Sequence, residues 1–475
     1  MIYRRDDVQQ LSFSCSYDEV QHEPLVLTVD AFVEGLDLGP LHARYSEAGT
    51  GYYDPGMLLK VWFFAYCDRS YHCRRVAERI RFDVRYRYFV GRHRPDFRTL
   101  NRFRKDHLDL MAGYFAALVR HCEEQGLIDS SVMALDGSKI RANTSRRKHR
   151  HGPLTQAIRR RLEEDAQSDE PEDTEPVPDD ADEAASPSPA RSVRAADPEA
   201  RLMKTGEGTV RPCYNAQVVV DNHQLIVAAD VGTNEDDHVA FAPMVDQAQE
   251  RLSAPLGAIT MDGGYYSGRN LKYAQAGHHD IYIPKGRDSN KVIGQEAFVY
   301  DDVHDRFRCP NDQWLRRGAQ RRRNGVVITH YRSTVVQCRG CPLKEQCTKS
   351  RYRTLRIAET YDYERTLAAK MRSPQGQATY ARRQELVEPV FGNIKFNLGF
   401  VRFSLRGLTK TKGEFLLVCI AHNLKKLARW RDPRPGHTAP LTNRWSIVPF
   451  VTRMMAILQT LSDLKHTIPM EYARA

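Results

Sequence analysis

The chain has 475 residues, 41% of them hydrophobic, enough for a substantial core and two or three domains. Its net charge of +11 favours a polyanionic partner, and the charge is uneven: residues 162–200 carry 14 Asp and Glu against 2 Arg, leaving about +23 on the remainder. No stretch approaches 18 apolar residues, so a membrane span is not expected, and MIYRRDDVQQ at the start lacks an apolar signal core. Ten Cys without a secretion signal point to a reducing, cytoplasmic setting with few disulfides.

Residues 1–45 read as a lead-in, with a helix over 25–39 that turns Leu27, Val29, Phe32, Val33 and Leu36 inward. Asp54-Pro55 reads as an N-cap and first helical position. The following MLLKVWFFAYC (57–67) is apolar nearly all round, as a central helix of a helical domain would be. Further helices are expected over 70–91 and 96–122, the second capped by Asp96. Eleven arginines lie between 74 and 104, among them Arg74, Arg75, Arg98 and Arg102, interleaved with Tyr and Phe. Helices of this kind line guanidinium groups along a phosphate backbone; the competing reading is a solvated basic face. A helix-turn-helix is not established by the spacing.

Residues 131–143, SVMALDGSKIRAN, read as a short apolar strand ending on Asp136, with Gly137 after it. A carboxylate at the mouth of a buried strand suits a metal ligand, although Asp-Gly is more often a turn. Residues 146–161 are basic, and 162–200 are acidic, rich in Pro, Ala and Ser and without apolar period, as in a disordered insertion. Residues 214–232 give two β-branched runs around a turn at Asp221-Asn222-His223. An amphipathic stretch follows over 239–252, and then GAITMDGGYYSGR (257–269) repeats the strand-then-carboxylate design with Asp262. A helix over 268–276 and a strand at 281–284 complete a pattern that suits a mixed α/β sheet of the ribonuclease H type.

Residues 285–370 interrupt it with Cys309, Cys338, Cys341 and Cys347. The C-x2-C pair at 338–341 has zinc-knuckle spacing, and residues 306–309 and 335–338 would form the two halves of a ribbon around one structural Zn2+. The competing reading is reduced, unligated thiols. ARRQELVEPVFGNIKFNLGF (381–400) reads as a helix carrying Glu388, and 414–427 as another; 431–475 is peripheral, with a last helix at 448–464. Two strand-end aspartates and a helix-borne glutamate can converge on a pair of hard cations that activate a nucleophile and steady a leaving oxygen at a phosphodiester.

The order ALDGSKIRANTS (134–145), YNAQVVVD (214–221), NEDDH (234–238), TMDGGYYS (260–267) and RRQELVEPVFGNIK (382–395) resembles the Asp-Asp-Glu transposases of bacterial insertion sequences, in the group with a Tyr-Arg-Glu-Lys signature. The resemblance covers roughly residues 15–430, including a helical N-terminal domain common in that group and the inserted cysteine cluster of one branch. It implies an α/β, ribonuclease H-like catalytic domain (126–430) behind an all-helical DNA-binding domain (1–125), with 431–475 as a tail. It assigns the triad to Asp136, Asp262 and Glu388, holding Mg2+ or Mn2+, and gives Lys395, seven positions after Glu388, a phosphate-binding role. Arg383 stands five positions before Glu388 where the signature has four, so Arg382 competes with it, and Tyr380 shares that misfit. Pro389 is a second departure, which kinks the helix or marks its start. The implied partners are double-stranded DNA, as terminal inverted repeats and target, with a homodimer assembled on it at the nucleoid. Two other functions are consistent with these residues: a ribonuclease H-like nuclease without strand transfer, and a non-catalytic DNA-binding protein descended from a transposase.

Overall fold

The computed structural model describes residues 20–45, 53–144, 196–206, 208–286, 293–323 and 325–431. The chain divides into two compact units, 1–128 with 417–475, and 129–416. Residues 417–430, expected with the catalytic part, therefore group with the helical unit. The basic stretch 146–161, the acidic stretch as far as 195, and the helix expected at 448–464 lie outside the described residues.

The first unit holds α1 (Pro24–Glu34), α2 (Pro55–Cys67), α3 (Cys73–Phe82), α4 (Val84–Val90), α5 (Phe97–Asp106) and α6 (Met111–Glu124). Asp54 caps α2 through the N–H groups of Gly56 and Met57, at 3.2 and 2.9 Å. Every residue of α2 except Lys60 is buried, and Lys60 pairs with Asp30 and Glu34 of α1 at 2.6 and 2.5 Å. Both longer helices expected from the sequence are broken. Asp83 adopts an extended backbone and caps a new helix through the Arg85 N–H at 3.0 Å, and His107 ends α5. α1 stops before Gly35, so Leu36 lies beyond it, and Val26 rather than Leu27 is buried.

The second unit contains a mixed sheet of β1 (Val132–Arg141), β2 (Arg201–Lys204), β3 (Val210–Val220), β4 (Ile226–Gly232), β5 (Ala258–Met261) and β6 (Ile281–Tyr282). The order is β2-β3-β1-β5-β6, with β4 also on β3. β1 runs antiparallel to β3 and parallel to β5, and β5 is parallel to β6. β1 does not end at Asp136. Its pairing with β3 continues to Arg141↔Cys213, because β3 supplies partners for the whole run. The mouth at Asp136 exists because β5 ends, one residue after Leu135↔Met261.

Around this sheet lie α7 (Phe241–Arg251), α8 (Gly268–Ala276), α9 (Tyr361–Arg372) and α10 (Pro374–Gly392). α10 does not start at Pro389. It begins at Pro374 behind the Ser373 cap, fifteen residues earlier, and holds Pro389 in its last turns. A proline there cannot donate to the carbonyl of Glu385, four residues back. Gln224 Nε2 donates to that carbonyl instead, at 2.9 Å, from the β3–β4 turn. The same turn holds Arg382, whose Nη2 donates to Asn222 Oδ1 at 2.5 Å.

The acidic stretch is ordered at its far end. Asp197 and Ala200 are fully buried, Tyr214 donates to Asp197 at 2.7 Å, and the Leu408 N–H donates to Glu199 at 2.7 Å. These carboxylates meet the start of α11 (Leu408–Arg431), whose first N–H groups have no partner within the helix.

A second, antiparallel sheet is built from β7 (Val299–Asp301), β8 (Arg306–Arg308), β9 (Trp314–Arg323), β10 (Val326–Arg332) and β11 (Thr354–Ala358), in the order β11-β10-β9-β8-β7. One face packs Phe307, Leu315, Tyr331 and Leu355 with Phe298. The expected ribbon strand over 335–338 is a short helix, Val335–Arg339. Thr334 and Gln337 form a capping box there, which outweighs the strand preference of the two valines.

Gln224→Ala should destabilise the chain by about 0.5–1 kcal/mol in urea unfolding. In a Pro389→Ala background, which restores a donor for the Glu385 carbonyl, that cost should shrink, and an unchanged cost would show that Gln224 acts elsewhere.

Candidate active site

Asp136 and Asp262 stand on neighbouring parallel strands, each one residue past the last register pair. Asp136 Oδ1 accepts the Gly137 N–H at 2.8 Å, and its Oδ2 pairs with Arg383 Nη1 at 3.2 Å. Asp262 caps the turn Gly263–Tyr265, accepting the Gly264 N–H at 2.8 Å. Burial pushes the Asp136 carboxyl up to about 6; the Gly137 N–H and Arg383 oppose this, and the charges of Asp262 and Asp237 add to it.

Asp237 is the site residue that the sequence reading missed. It begins a 3-10 turn after β4 and accepts from Lys139 Nζ (3.1 Å), Asn215 Nδ2 (2.7 Å) and Gln217 Nε2 (2.8 Å). Gln217 Oε1 in turn accepts the hydroxyl of the buried Tyr265. Burial raises the Tyr265 hydroxyl, and Asp237, Asp136 and Asp262 raise it further, so one ring stands among all three carboxylates. The signal was the NEDDH cluster, an acidic run directly after a strand. Gly137 is required by this packing, since a Cβ there would lie 2.2 Å from Gln217 Nε2 and 2.8 Å from Asp237 Oδ1.

The remaining predicted residues do not all converge. α10 packs on β1 and β5 through Leu386, Val387 and Val390, and of the two adjacent arginines Arg383 is the one that reaches Asp136. Tyr380, one turn before it, is half-buried. Glu388 is exposed, rotated away from the buried side of α10. Lys395 falls in a π-helical turn, Asn393–Asn397. The turn begins two residues before Lys395, which stands seven positions after Glu388. Burial raises the thiol of Cys213, and the charge of Lys395 is among those that lower it; Cys213 pairs with Arg141 at the far end of β1 from Asp136. Among the described residues, no three His, Cys, Asp or Glu side chains stand close enough to hold a metal ion. The aspartate pair fits a hard divalent cation by its donor chemistry, being two neighbouring carboxylates offset by the Arg383 guanidinium and the N–H groups of Gly137 and Gly264. Glu388 does not complete that set in this conformation.

A family model described as Transposase DDE domain matches residues 308–428, and one described as Transposase domain (DUF772) matches residues 15–106. The domain make-up is that of a transposase. The matched DDE segment holds Glu388 and Lys395, whereas Asp136, Asp237 and Asp262 lie between the two matches. No curated protein matches the chain.

Within the DUF772 match the arginine run separates by environment. Arg104 is buried, donates to the Tyr71 carbonyl at 2.7 Å and stacks on Trp62 at 4.5 Å. Arg85 pairs with Asp83 and Asp68, at 2.8 and 3.2 Å. These two serve the helical core. Arg74, Arg75, Arg98 and Arg102 are exposed, with Arg74 and Arg98 against the Phe97 ring. Within the DDE match, Cys338, Cys341 and Cys347 are half-exposed thiols, as is Cys309. Burial raises the Cys347 thiol, Arg353 opposes that, and Cys338, Cys309 and Cys341 raise it further, but the four side chains do not stand close enough to hold a metal ion. The Gln313 N–H donates to Cys309 Sγ at 3.3 Å.

In the metal-free protein, Asp136 titrates above its ordinary 3.8, so its favourable contribution to stability is complete below that pH and is lost as pH rises through about 6. Asp136→Asn should therefore raise the stability of the metal-free protein at pH 8, by roughly 1–3 kcal/mol, with the gain disappearing towards pH 4 in a series of thermal melts. A gain independent of pH would reject the buried-charge account.

Proposed function

We infer that this chain is an insertion-sequence transposase of the Asp-Asp-Glu type, which binds the ends of its element and carries out metal-dependent strand cleavage and transfer. The observation that carries the reading is the carboxylate pair Asp136 and Asp262 at the open end of neighbouring parallel strands, in a chain with two transposase-domain matches. The strand order supports a ribonuclease H-like sheet, with β4, β3 and β1 antiparallel and β5 and β6 continuing parallel to β1. When bound, Mg2+ or Mn2+ would supply water or 3′-hydroxyl activation and leaving-oxygen stabilisation. Asp136 and Asp262 would hold it. Glu388 joins them by a movement of its side chain or of the end of α10, and Arg383, released from Asp136, contacts phosphate. Tyr380 and Lys395 extend that contact, and Arg74, Arg75, Arg98 and Arg102 dock the element end, with two copies assembled on the DNA. Asp136→Ala, Asp262→Ala and Glu388→Ala should each reduce cleavage of an end-bearing duplex to background in Mg2+ while duplex binding persists. Normal cleavage by Glu388→Ala together with loss in Asp237→Asn would move the third acidic role to Asp237.

The C-x2-C pair at 338–341, with Cys309 and Cys347 in the same small domain, supports one structural Zn2+ held by Cys309, Cys338, Cys341 and Cys347, which the ion would have to draw together because the metal-free side chains do not stand close enough to hold it. Elemental analysis should find one zinc per chain, lost in Cys338→Ser together with several degrees of melting temperature. A zinc-free, equally stable wild-type protein would overturn this.

A further inference from the structure

The sheet β7–β11 has one packed face and one charged face. Strand alternation places Phe307, Leu315, Tyr331 and Leu355 on the packed side. On the other side the register aligns Arg306, Arg316 and Arg332 as direct cross-strand neighbours on β8, β9 and β10. His330 pairs with Arg356 on the same face, and Arg332, Arg356 and Arg321 all lower the His330 imidazole, after burial, so three guanidinium groups crowd one ring. Arg316, Arg321, Arg332 and Arg356 are exposed and have no acidic partner among the described residues. The acidic side chains nearby are taken: Asp301 by Arg306 at 2.8 Å and Asp305 by Arg317 at 2.8 Å.

Like charges directly opposite one another destabilise a sheet. Protection of a sheet edge does not account for them, because most lie on the inner strands β8, β9 and β10. We propose that this arginine face docks the phosphate backbone of double-stranded DNA without reading its sequence. Strands about 4.8 Å apart and alternate residues about 6.7 Å apart give a flat grid of guanidinium groups on the scale of successive phosphates, and each guanidinium can grip a phosphate with two hydrogen bonds. A single strand would need aromatic platforms for its bases. Trp314 is the aromatic side chain on this face, and Arg306 covers its ring at 3.7 Å. A sequence-independent grip suits target DNA rather than an element end, and in that respect the inference rests on the transposase reading.

The test uses the full chain, without divalent metal, and a fluorescent 30-base-pair duplex of random sequence. Binding is followed by anisotropy across a salt series. Arg316→Gln/Arg332→Gln/Arg356→Gln should weaken binding at least tenfold at about 0.1 M salt and lower the salt slope by about 2–3, roughly 0.9 for each phosphate that is no longer neutralised. Arg316→Lys/Arg332→Lys/Arg356→Lys keeps the charge and should retain most of the slope. Melting curves identify a variant that has lost its fold, and the single substitutions Arg316→Gln, Arg332→Gln and Arg356→Gln then carry the test, each lowering the slope by about 0.9 if the proposal holds and leaving it unchanged if it does not. An unchanged affinity and slope in the folded glutamine variant would overturn the proposal, as would a single strand that binds as tightly with the same dependence on these arginines. Loss of cleavage in Asp136→Ala with an unaltered salt slope in the glutamine variant would reject the arginine face alone. Full cleavage by Asp136→Ala, with the slope reduced in the glutamine variant, would reject the catalytic reading alone.

Discussion

The parallel pairing of β1 with β5 is the constraint on which the second unit depends. It brings two carboxylates from residues 126 positions apart to adjacent strands and leaves both at the point where the pairing stops. Nothing in that backbone geometry neutralises them. Burial makes Asp136 harder to ionise, and the surroundings answer with a few specific partners: the Gly137 N–H, the Arg383 guanidinium, and the Gly264 N–H on Asp262. A pair of acids held together at this electrostatic cost is a receptor for positive charge, whether a guanidinium or a divalent cation.

Helix α10 brings that guanidinium, and its position is fixed in part by the β3–β4 turn. The β3–β4 turn grips it twice, through Gln224 on the carbonyl left bare by Pro389 and through Asn222 on Arg382. The apparent defect of a proline in a helix is thus the point where a side chain from outside can bond. One arginine is held in the clamp, and its neighbour is turned about 100° round the helix towards Asp136. Asp237 plays the complementary part from the sheet. Its three donors and the Gln217–Tyr265 link tie β1, β3 and the turn after β5 into one polar cluster beneath the aspartate pair.

The basic charge of the chain is not one surface. In the helical unit, Arg85 and Arg104 are engaged by carboxylates, a carbonyl and aromatic rings, while Arg74, Arg75, Arg98 and Arg102 stay in solvent. In the second sheet, the register puts arginines beside arginines, an arrangement that folding alone does not favour. Composition reports the sum of these groups and cannot separate those that hold the fold from those free to meet a polyanion.

The sequence by itself determined the local features. The α2 helix and its Asp54 cap, the strand runs before Asp136 and Asp262, and the adjacent arginines before Glu388 were legible because each depends on residues within a turn or two. The Thr334–Gln337 capping box was equally local, and the two valines after it masked it as a strand. Tertiary structure decided the rest. The extent of β1 follows from β3, the order at 196–200 follows from the start of α11, and the choice of Arg383 over Arg382 follows from the rotation of α10. Asp237 entered the site through donors 20, 22 and 98 residues away. Lys395 falls in the π turn Asn393–Asn397, a departure from the helical period that its spacing from Glu388 does not announce. Spacing along a chain fixes a face only while the helix keeps its period, and a carboxylate belongs to a site only when distant strands deliver its neighbours.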